Sequence, residues 1–342
     1  MNGPPVDPSA IGRAARLLHD GKLVAFPTET VYGLGADADN VQAVRTIFAA
    51  KGRPPDHPVI VHVSGLPAAT GWAGELSPAA CKLAERFWPG ALTLVVPRGP
   101  RAHDALTGAQ PSVGLRCPSH PWARALLKAF CQQGDDPSRG IAAPSANRFG
   151  HISPTRAEHV RADLREKPHG PVDLILDGGS CEFGIESTIV DLTTEVPRLL
   201  RPGSIAREAI EHALGRGVDL PAFDDPSMPR APGGLARHYA PRKPLELVEA
   251  SRLAARVHEL GANRVAVLAP APPLPTVTHW WTAPPAPEQY AHHLYEFLHR
   301  MDASSAERLV VQRPPREPQW AALNDRLERA AAAFSGTYDD AD

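Results

Sequence analysis

At 342 residues, with 43% hydrophobic and 22% charged content, the chain is long enough for two globular domains, each with its own core. Its 36 Lys and Arg against 38 Asp and Glu leave a formal charge of −2, which excludes the global electrostatic footprint of a dedicated nucleic-acid or anionic-membrane binder. MNGPPVDPSA carries neither a signal core nor a transit pattern, and no run reaches the roughly 20 apolar residues of a membrane span, so a cytoplasmic protein with no membrane partner is expected.

Asp7-Pro8 reads as a helix cap and first-turn proline, and Ile11, Ala14, Ala15 and Leu18 form the apolar stripe of the helix that follows. The next stretch, Leu23 to Val63, organises the rest: strand, glycine turn, helix, basic loop, strand. Leu23–Phe26 is the first strand, and Gly33 and Gly35 are expected in a tight strand-to-helix turn. The helix starts near Asn40, faces inward with Val41, Val44, Ile47 and Phe48, and stops at Lys51-Gly52. Lys51 and Arg53 therefore emerge at its end, before a proline-stiffened connection and the strand Val59–Val63 with its single polar residue, His62.

A helix after Ser77-Pro78, with Cys81, Ala84 and Phe87 inward, leads to the strand Ala91–Val96. Ser112–Cys117 is a strand carrying Arg116, which needs an anionic partner among such apolar neighbours; a helix over 122–132 follows. Ile141–Ala143 runs into Pro144-Ser145-Ala146-Asn147, a turn of short hydroxyl and amide donors, and a helix spans 155–164. Strands at 173–176, 187–192 and 198–201 and a helix over 205–214 complete the first domain. Residues 216–243, rich in proline and glycine, read as a linker; strands at 245–248, 264–269 and 308–312, alternating with helices, predict a small parallel α/β domain beyond it.

The chemistry is legible only in part. Gly33-x-Gly35 is no dinucleotide fingerprint, because position 38 is Ala, and no GxxxxGK[ST] loop occurs. Lys51 and Arg53 taken alone read more readily as solvated charges at a helix end, but in a rigid, glycine-lined unit flanked by prolines they suit polyphosphate binding and stabilisation of a phosphate leaving group. Cys81, Cys117, Cys131 and Cys181 have no CxxC spacing and are expected as buried structural thiols, and His292, His293 and His299 lack accompanying carboxylates at metal-site spacing, so no metal site is expected.

PTETVYGLGADA, KGRPPDHPVIVHV, FWPGALTLVV, VGLRCP, APSANRFGHISPT, GIESTIVD, LLRPGSI and APGGLARHYAP follow one another along nearly the whole chain. In this order they resemble the YrdC family of L-threonylcarbamoyladenylate synthases, in its longer two-domain form. The resemblance implies a YrdC-like twisted mixed-sheet α/β domain with a concave active-site cleft over residues 1–215. Residues 216–243 become a linker that covers that cleft, with Tyr239 folded over the nucleotide, and 244–342 a Rossmann-like parallel α/β domain.

It also implies condensation of L-threonine, bicarbonate and ATP, with Mg²⁺, into threonylcarbamoyl-AMP and pyrophosphate, a nucleotidyl transfer. The product would pass to a tRNA-modifying threonylcarbamoyl transferase, which modifies adenosine beside the anticodon; weak contact with tRNA is compatible with this. By motif, Lys51 and Arg53 correspond to the catalytic basic pair. Thr30, His62, Arg116 and Ser187, with the backbone of Ala143, correspond to threonine-binding positions. Arg53, His57, Ser112, Ser145, Asn147, Ser153, Arg201 and Tyr239 correspond to the ATP side, although the family usually has Asn where this chain has His57. A non-catalytic RNA-binding or ribosome-assembly module of the same fold is the alternative.

Overall fold

The computed structural model describes residues 3–221, 228–235 and 237–334. The chain divides into two compact units, Met1–Phe149 with Pro154–Gly234, and Gly150–Ser153 with Leu235–Asp342. Of the predicted linker, residues 222–227 and 236 lie outside the described residues. Among the described residues no helix is long and apolar enough to cross a membrane.

The larger unit begins with helix α1 (Pro8–His19), capped by Asp7, strands β1 (Val24–Phe26) and β2 (Gly33–Asp37), helix α2 (Val41–Lys51) and strand β3 (Val61–His62). Then come α3 (Leu66–Ala69), α4 (Pro78–Phe87), β4 (Leu92–Pro97), α5 (Asp104–Thr107), β5 (Ser112–Arg116), α6 (Pro121–Gln133) and β6 (Ile141–Ala142). The unit continues with α7 (Ala157–Asp163), β7 (Leu174–Ile175), β8 (Thr188–Asp191), β9 (Arg198–Arg201) and α8 (Arg207–Leu214). The strands form one mixed sheet, ordered β7-β1-β2-β6-β3-β5-β4-β8-β9. Strand β3 runs parallel to β5 and antiparallel to β6, so His62 lies beside Arg116 in the middle of the sheet.

Gly33 and Gly35 do not form the expected turn. They lie in β2, antiparallel to β1, and the reversal is made by residues 27–32. Small size is what the strand requires, since a Cβ on Gly35 would sit 2.8 Å from Phe26 Cε1 and 2.9 Å from Ile141 Cγ2. Helix α2 begins as expected: Asn40 Oδ1 accepts the Ala43 amide at 3.0 Å, and Gly52 ends it in the left-handed region at φ 63°. Its buried face runs through Ala43, Val44, Ile47, Phe48 and Lys51, leaving Val41 exposed. In α4 the inward set is Ala80, Leu83 and Ala84; Cys81 and Phe87 lie at its half-buried edge because the stripe is rotated by one residue. Cys117, Cys131 and Cys181 are buried.

The smaller unit comprises β10 (Leu245–Val248), α9 (Leu253–Leu260), β11 (Val265–Ala269), β12 (His279–Thr282), α10 (Pro287–Ala303), β13 (Arg308–Gln312) and α11 (Ala321–Ala332). All four strands are parallel, in the order β10-β13-β11-β12. Strand β12, His-Trp-Trp-Thr, was not anticipated: it is a half-buried edge strand without the continuous apolar run that marks β11.

Candidate active site

Two short loops at the centre of the large sheet bring its polar residues together. In the 27–32 reversal the Thr28 hydroxyl donates to the Val31 carbonyl at 2.6 Å and lies 2.9 Å from the Thr30 hydroxyl. Thr30 Oγ1 in turn accepts from Arg116 Nη1 at 2.9 Å. Arg116 Nη2 is 2.6 Å from Glu29 Oε1, and the other carboxylate oxygen accepts the amides of Ser119 at 3.0 Å and His120 at 3.4 Å. Burial raises the Glu29 pKa, but the Arg116 charge and these donors outweigh it and hold the carboxyl below its ordinary range.

Across the sheet Arg116 faces Thr93 of β4, and Thr93 Oγ1 lies 2.8 Å from Ser187 Oγ. Arg201, from β9, donates through Nη2 to that serine hydroxyl at 3.2 Å and through Nε to the Ser187 carbonyl at 3.1 Å. Thr30, Arg116, Ser187 and Arg201 are thus linked through Thr93 and neighbouring strands. His62 adjoins them by register with Arg116, its ring edge-on to Phe26 at 6.0 Å between centroids. Burial, reinforced by the Arg116 charge, pushes the His62 pKa down to about 3, so its imidazole is neutral near pH 7. Its buried Nδ1 has no hydrogen-bond partner among the described residues.

A second cluster surrounds the end of α2. Lys51 Nζ donates to the carbonyls of Ser145, at 2.6 Å, and Asn147. The carbonyl of Lys51 accepts the Phe149 amide at 2.8 Å. Burial and the Arg53 charge push the lysine well below its usual range, against the pull of Asp163. Lys51 therefore clamps the Pro144–Asn147 turn. Ala143 is held through its amide to the Ile60 carbonyl at 3.0 Å, and Ser145 bridges Gly33. Arg53 donates to the Pro58 carbonyl at 2.8 Å and lies over the Phe149 ring, which also packs near His57 with centroids 5.4 Å apart. The His57 pKa is lowered by burial and then by Arg53.

Ser112 opens β5 on the wall of a narrow crevice that also includes Thr93, Ile189, Gln110, Arg230 and Pro232. The Pro/Gly-rich segment is strapped down here. Arg230 donates its amide to Gln110 Oε1 at 2.6 Å and its guanidinium to the Gly108 carbonyl at 2.6 Å, while the Pro232 carbonyl accepts from Arg201 at 2.8 Å. Ser153 and Tyr239 belong to the smaller unit, where the Ser153 carbonyl is 3.1 Å from His299 Nε2 and Tyr239 is buried with φ 62°.

Sequence reasoning missed Glu29, Thr93 and the Gln110–Arg230 pair. Glu29 left a signal: it is an acid just beyond the buried strand and its Pro27-Thr28, in a chain whose Arg116 needed an anionic partner. Thr93 and Gln110 left none, since a threonine in a strand and a glutamine before a strand are ordinary.

The Sua5/YciO/YrdC family model, described as telomere recombination, matches residues 16–203, and a model described as the C-terminal domain of threonylcarbamoyl-AMP synthase matches 205–332. The threonylcarbamoyl-AMP synthase of Bacillus subtilis is 44% identical over 264 residues, 75% of this chain and 73% of the relative. That of Pyrococcus abyssi is 44% identical over 241 residues, 70% of this chain and 68% of the relative. The crystal structure of P. abyssi Sua5 complexed with L-threonine superposes with a TM-score of 0.86 at 36% identity, covering 96% of both chains. With both family models matched in order, the chain belongs to the two-domain Sua5 branch of the threonylcarbamoyl-AMP synthase family.

Proposed function

We infer that this protein is an L-threonylcarbamoyladenylate synthase, a nucleotidyltransferase that condenses L-threonine, bicarbonate and ATP into threonylcarbamoyl-AMP and pyrophosphate. The observation that carries the reading is the buried polar chain Thr30–Arg116, Thr93–Ser187–Arg201, set in a sheet similar to that of a relative solved with L-threonine. Thr30, His62, Arg116, Ser187 and the Ala143 backbone take the threonine side. Arg53, His57, Ser112, Ser145, Asn147 and Arg201 take the ATP side, with Lys51 beside the phosphates.

The roles follow from the chemistry. Arg116, oriented by Glu29, offers a guanidinium to the amino-acid carboxylate, and the Thr30 and Ser187 hydroxyls recognise the remaining polar groups. The threonine amine condenses with bicarbonate, losing water, to give a carbamate. A carbamate oxygen then attacks the α-phosphorus; the new P–O bond forms as the bond to the bridging oxygen breaks, and pyrophosphate leaves with that electron pair. ATP enters as its Mg²⁺ complex, and Lys51 and Arg53 neutralise charge on the departing phosphates.

His62 is too weak a base at its lowered pKa to take a proton near neutrality and acts as a neutral hydrogen-bonding group. The strap at Arg230–Pro232 limits access to the crevice and keeps water from the adenylate. The product passes to a tRNA-modifying threonylcarbamoyl transferase. Pyrophosphate release by the purified full chain, assayed with each substrate omitted in turn, tests the reading: synthesis requires all three, and release without threonine overturns it.

A further inference from the structure

The smaller unit has a cleft that the reaction above does not use. It lies at the carboxyl ends of the parallel strands, bounded by Glu249 after β10, Pro270 after β11, Pro284 after β12 and Arg313 after β13. The strand order supplies a reason for an opening there. Strand β11 continues to β12 on one side, whereas the chain leaving β13 turns to the other side, where α11 packs on β10. Connections that diverge from adjacent strands leave a crevice outside their carboxyl ends, the place where open parallel α/β sheets bind ligands. Its volume, about 500 Å³, falls within the range of small-molecule sites.

The lining is chemically divided. One part is flat and apolar, formed by Pro270, Pro284, Pro285 and the rings of Tyr290 and Trp320, the last two edge-to-face with centroids 6.3 Å apart. Tyr290 is 3% exposed, and its hydroxyl is buried without a hydrogen-bond partner among the described residues. The other part holds two arginines ion-paired with carboxylates. Arg313 Nε lies 3.0 Å from Glu249 and its Nη1 lies 2.7 Å from Glu328, while Arg316, 80% exposed, lies 3.8 Å from Glu249. Both carboxylates are more than half exposed, so an incoming phosphate displaces them at little cost and gains paired guanidinium donors.

We propose that this cleft is a second ligand site, separate from the synthase chemistry, that takes a nucleoside monophosphate: a planar ring against the prolines and Trp320, and the phosphate at Arg313 and Arg316. The recognition chemistry carries this assignment, which is independent of the reaction read for the larger unit.

Photolabelling of the full chain with 8-azido-AMP, followed by peptide mapping, is the direct test. Label is expected in the peptides around 284–290 and 313–320, in addition to any in the larger unit. Arg316→Glu, a change at an exposed side chain, should cut labelling of these peptides by about tenfold, equivalent to about 1.4 kcal/mol of binding, and leave pyrophosphate release unchanged. Trp320→Ala, checked for folding by circular dichroism, should do the same. Unlabelled AMP should protect the peptides far better than adenosine or inorganic phosphate separately. Absence of label there, label unaffected by Arg316→Glu, or protection by inorganic phosphate equal to that by AMP overturns the proposal.

Discussion

Arg116 and Glu29 meet at 2.6 Å in the middle of the large sheet, both side chains buried. The pair explains how an arginine is held among apolar strands. Glu29 takes Nη2 and is itself fixed by two backbone amides, whereas Nη1 reaches the Thr30 hydroxyl. Removing the carboxylate leaves the guanidinium buried without its charge partner, so Glu29→Ala should lower stability by about 3–5 kcal/mol, measured by urea unfolding. Glu29→Gln, if it folds, should raise KM for threonine more than KM for ATP.

Acid should weaken the same pair. The folded-state pKa of Glu29 is depressed, so its stabilisation is full above its unfolded value, about 4.3, and is lost as pH falls through the folded value. Stability measured below pH of about 4.3 should therefore fall less steeply in Glu29→Gln than in the wild type.

His62 should set a second, higher acid limb. Its folded pKa is depressed to about 3, while the unfolded imidazole titrates near 6.5. Its contribution is present above the unfolded pKa and declines as pH falls, because protons then bind the unfolded chain, with a limiting slope of about 1.4 kcal/mol per pH unit. His62→Gln should flatten that limb in a pH series of denaturant midpoints. The wild-type rate should show no inflection near pH 6.5 from this residue.

Lys51 both charges and braces its cluster. Lys51→Met removes donors from the Ser145 and Asn147 carbonyls, and at about 1–3 kcal/mol for each orphaned acceptor the turn should loosen measurably. Turnover should fall by about 100-fold or more, as for removal of a preorganised electrostatic donor, with the loss chiefly in kcat. A variant with normal kcat would remove Lys51 from the reaction.

Gly35 should tolerate less than Gly33. A Cβ at position 35 presses on Phe26 and Ile141 at under 3 Å, whereas at 33 its nearest neighbour is Ala143 Cβ at 3.2 Å. Gly35→Ala should cost about 1–3 kcal/mol as overpacking, and Gly33→Ala less, read as the difference in denaturation midpoints.

The outline of the fold was legible because its helices advertise themselves. Asp7-Pro8, Asn40 and Ser77-Pro78 cap as expected, and the strands at 198–201, 245–248 and 308–312 keep their predicted bounds. The glycines at 33 and 35 misled because freedom at φ and absence of a side chain look identical in a sequence; only the neighbouring Phe26 and Ile141 show which is needed. His279–Thr282 escaped because an edge strand need not be apolar. In the candidate site, Arg116 stood out as a charge among apolar residues, whereas Lys51 and Arg53 stood out by their place at a helix end before a proline-stiffened loop. Thr93, Gln110 and the Arg230–Pro232 strap act through distant partners, which local patterning does not encode.

The most direct test is the formation of threonylcarbamoyl-AMP by the full chain, followed by mass spectrometry alongside pyrophosphate release. Product with wild type only when L-threonine, bicarbonate and Mg²⁺–ATP are all present, and its loss in Arg116→Ala with the fold retained, is the predicted result. Pyrophosphate release that is indifferent to threonine, or undiminished adenylate formation by Arg116→Ala, would contradict the account.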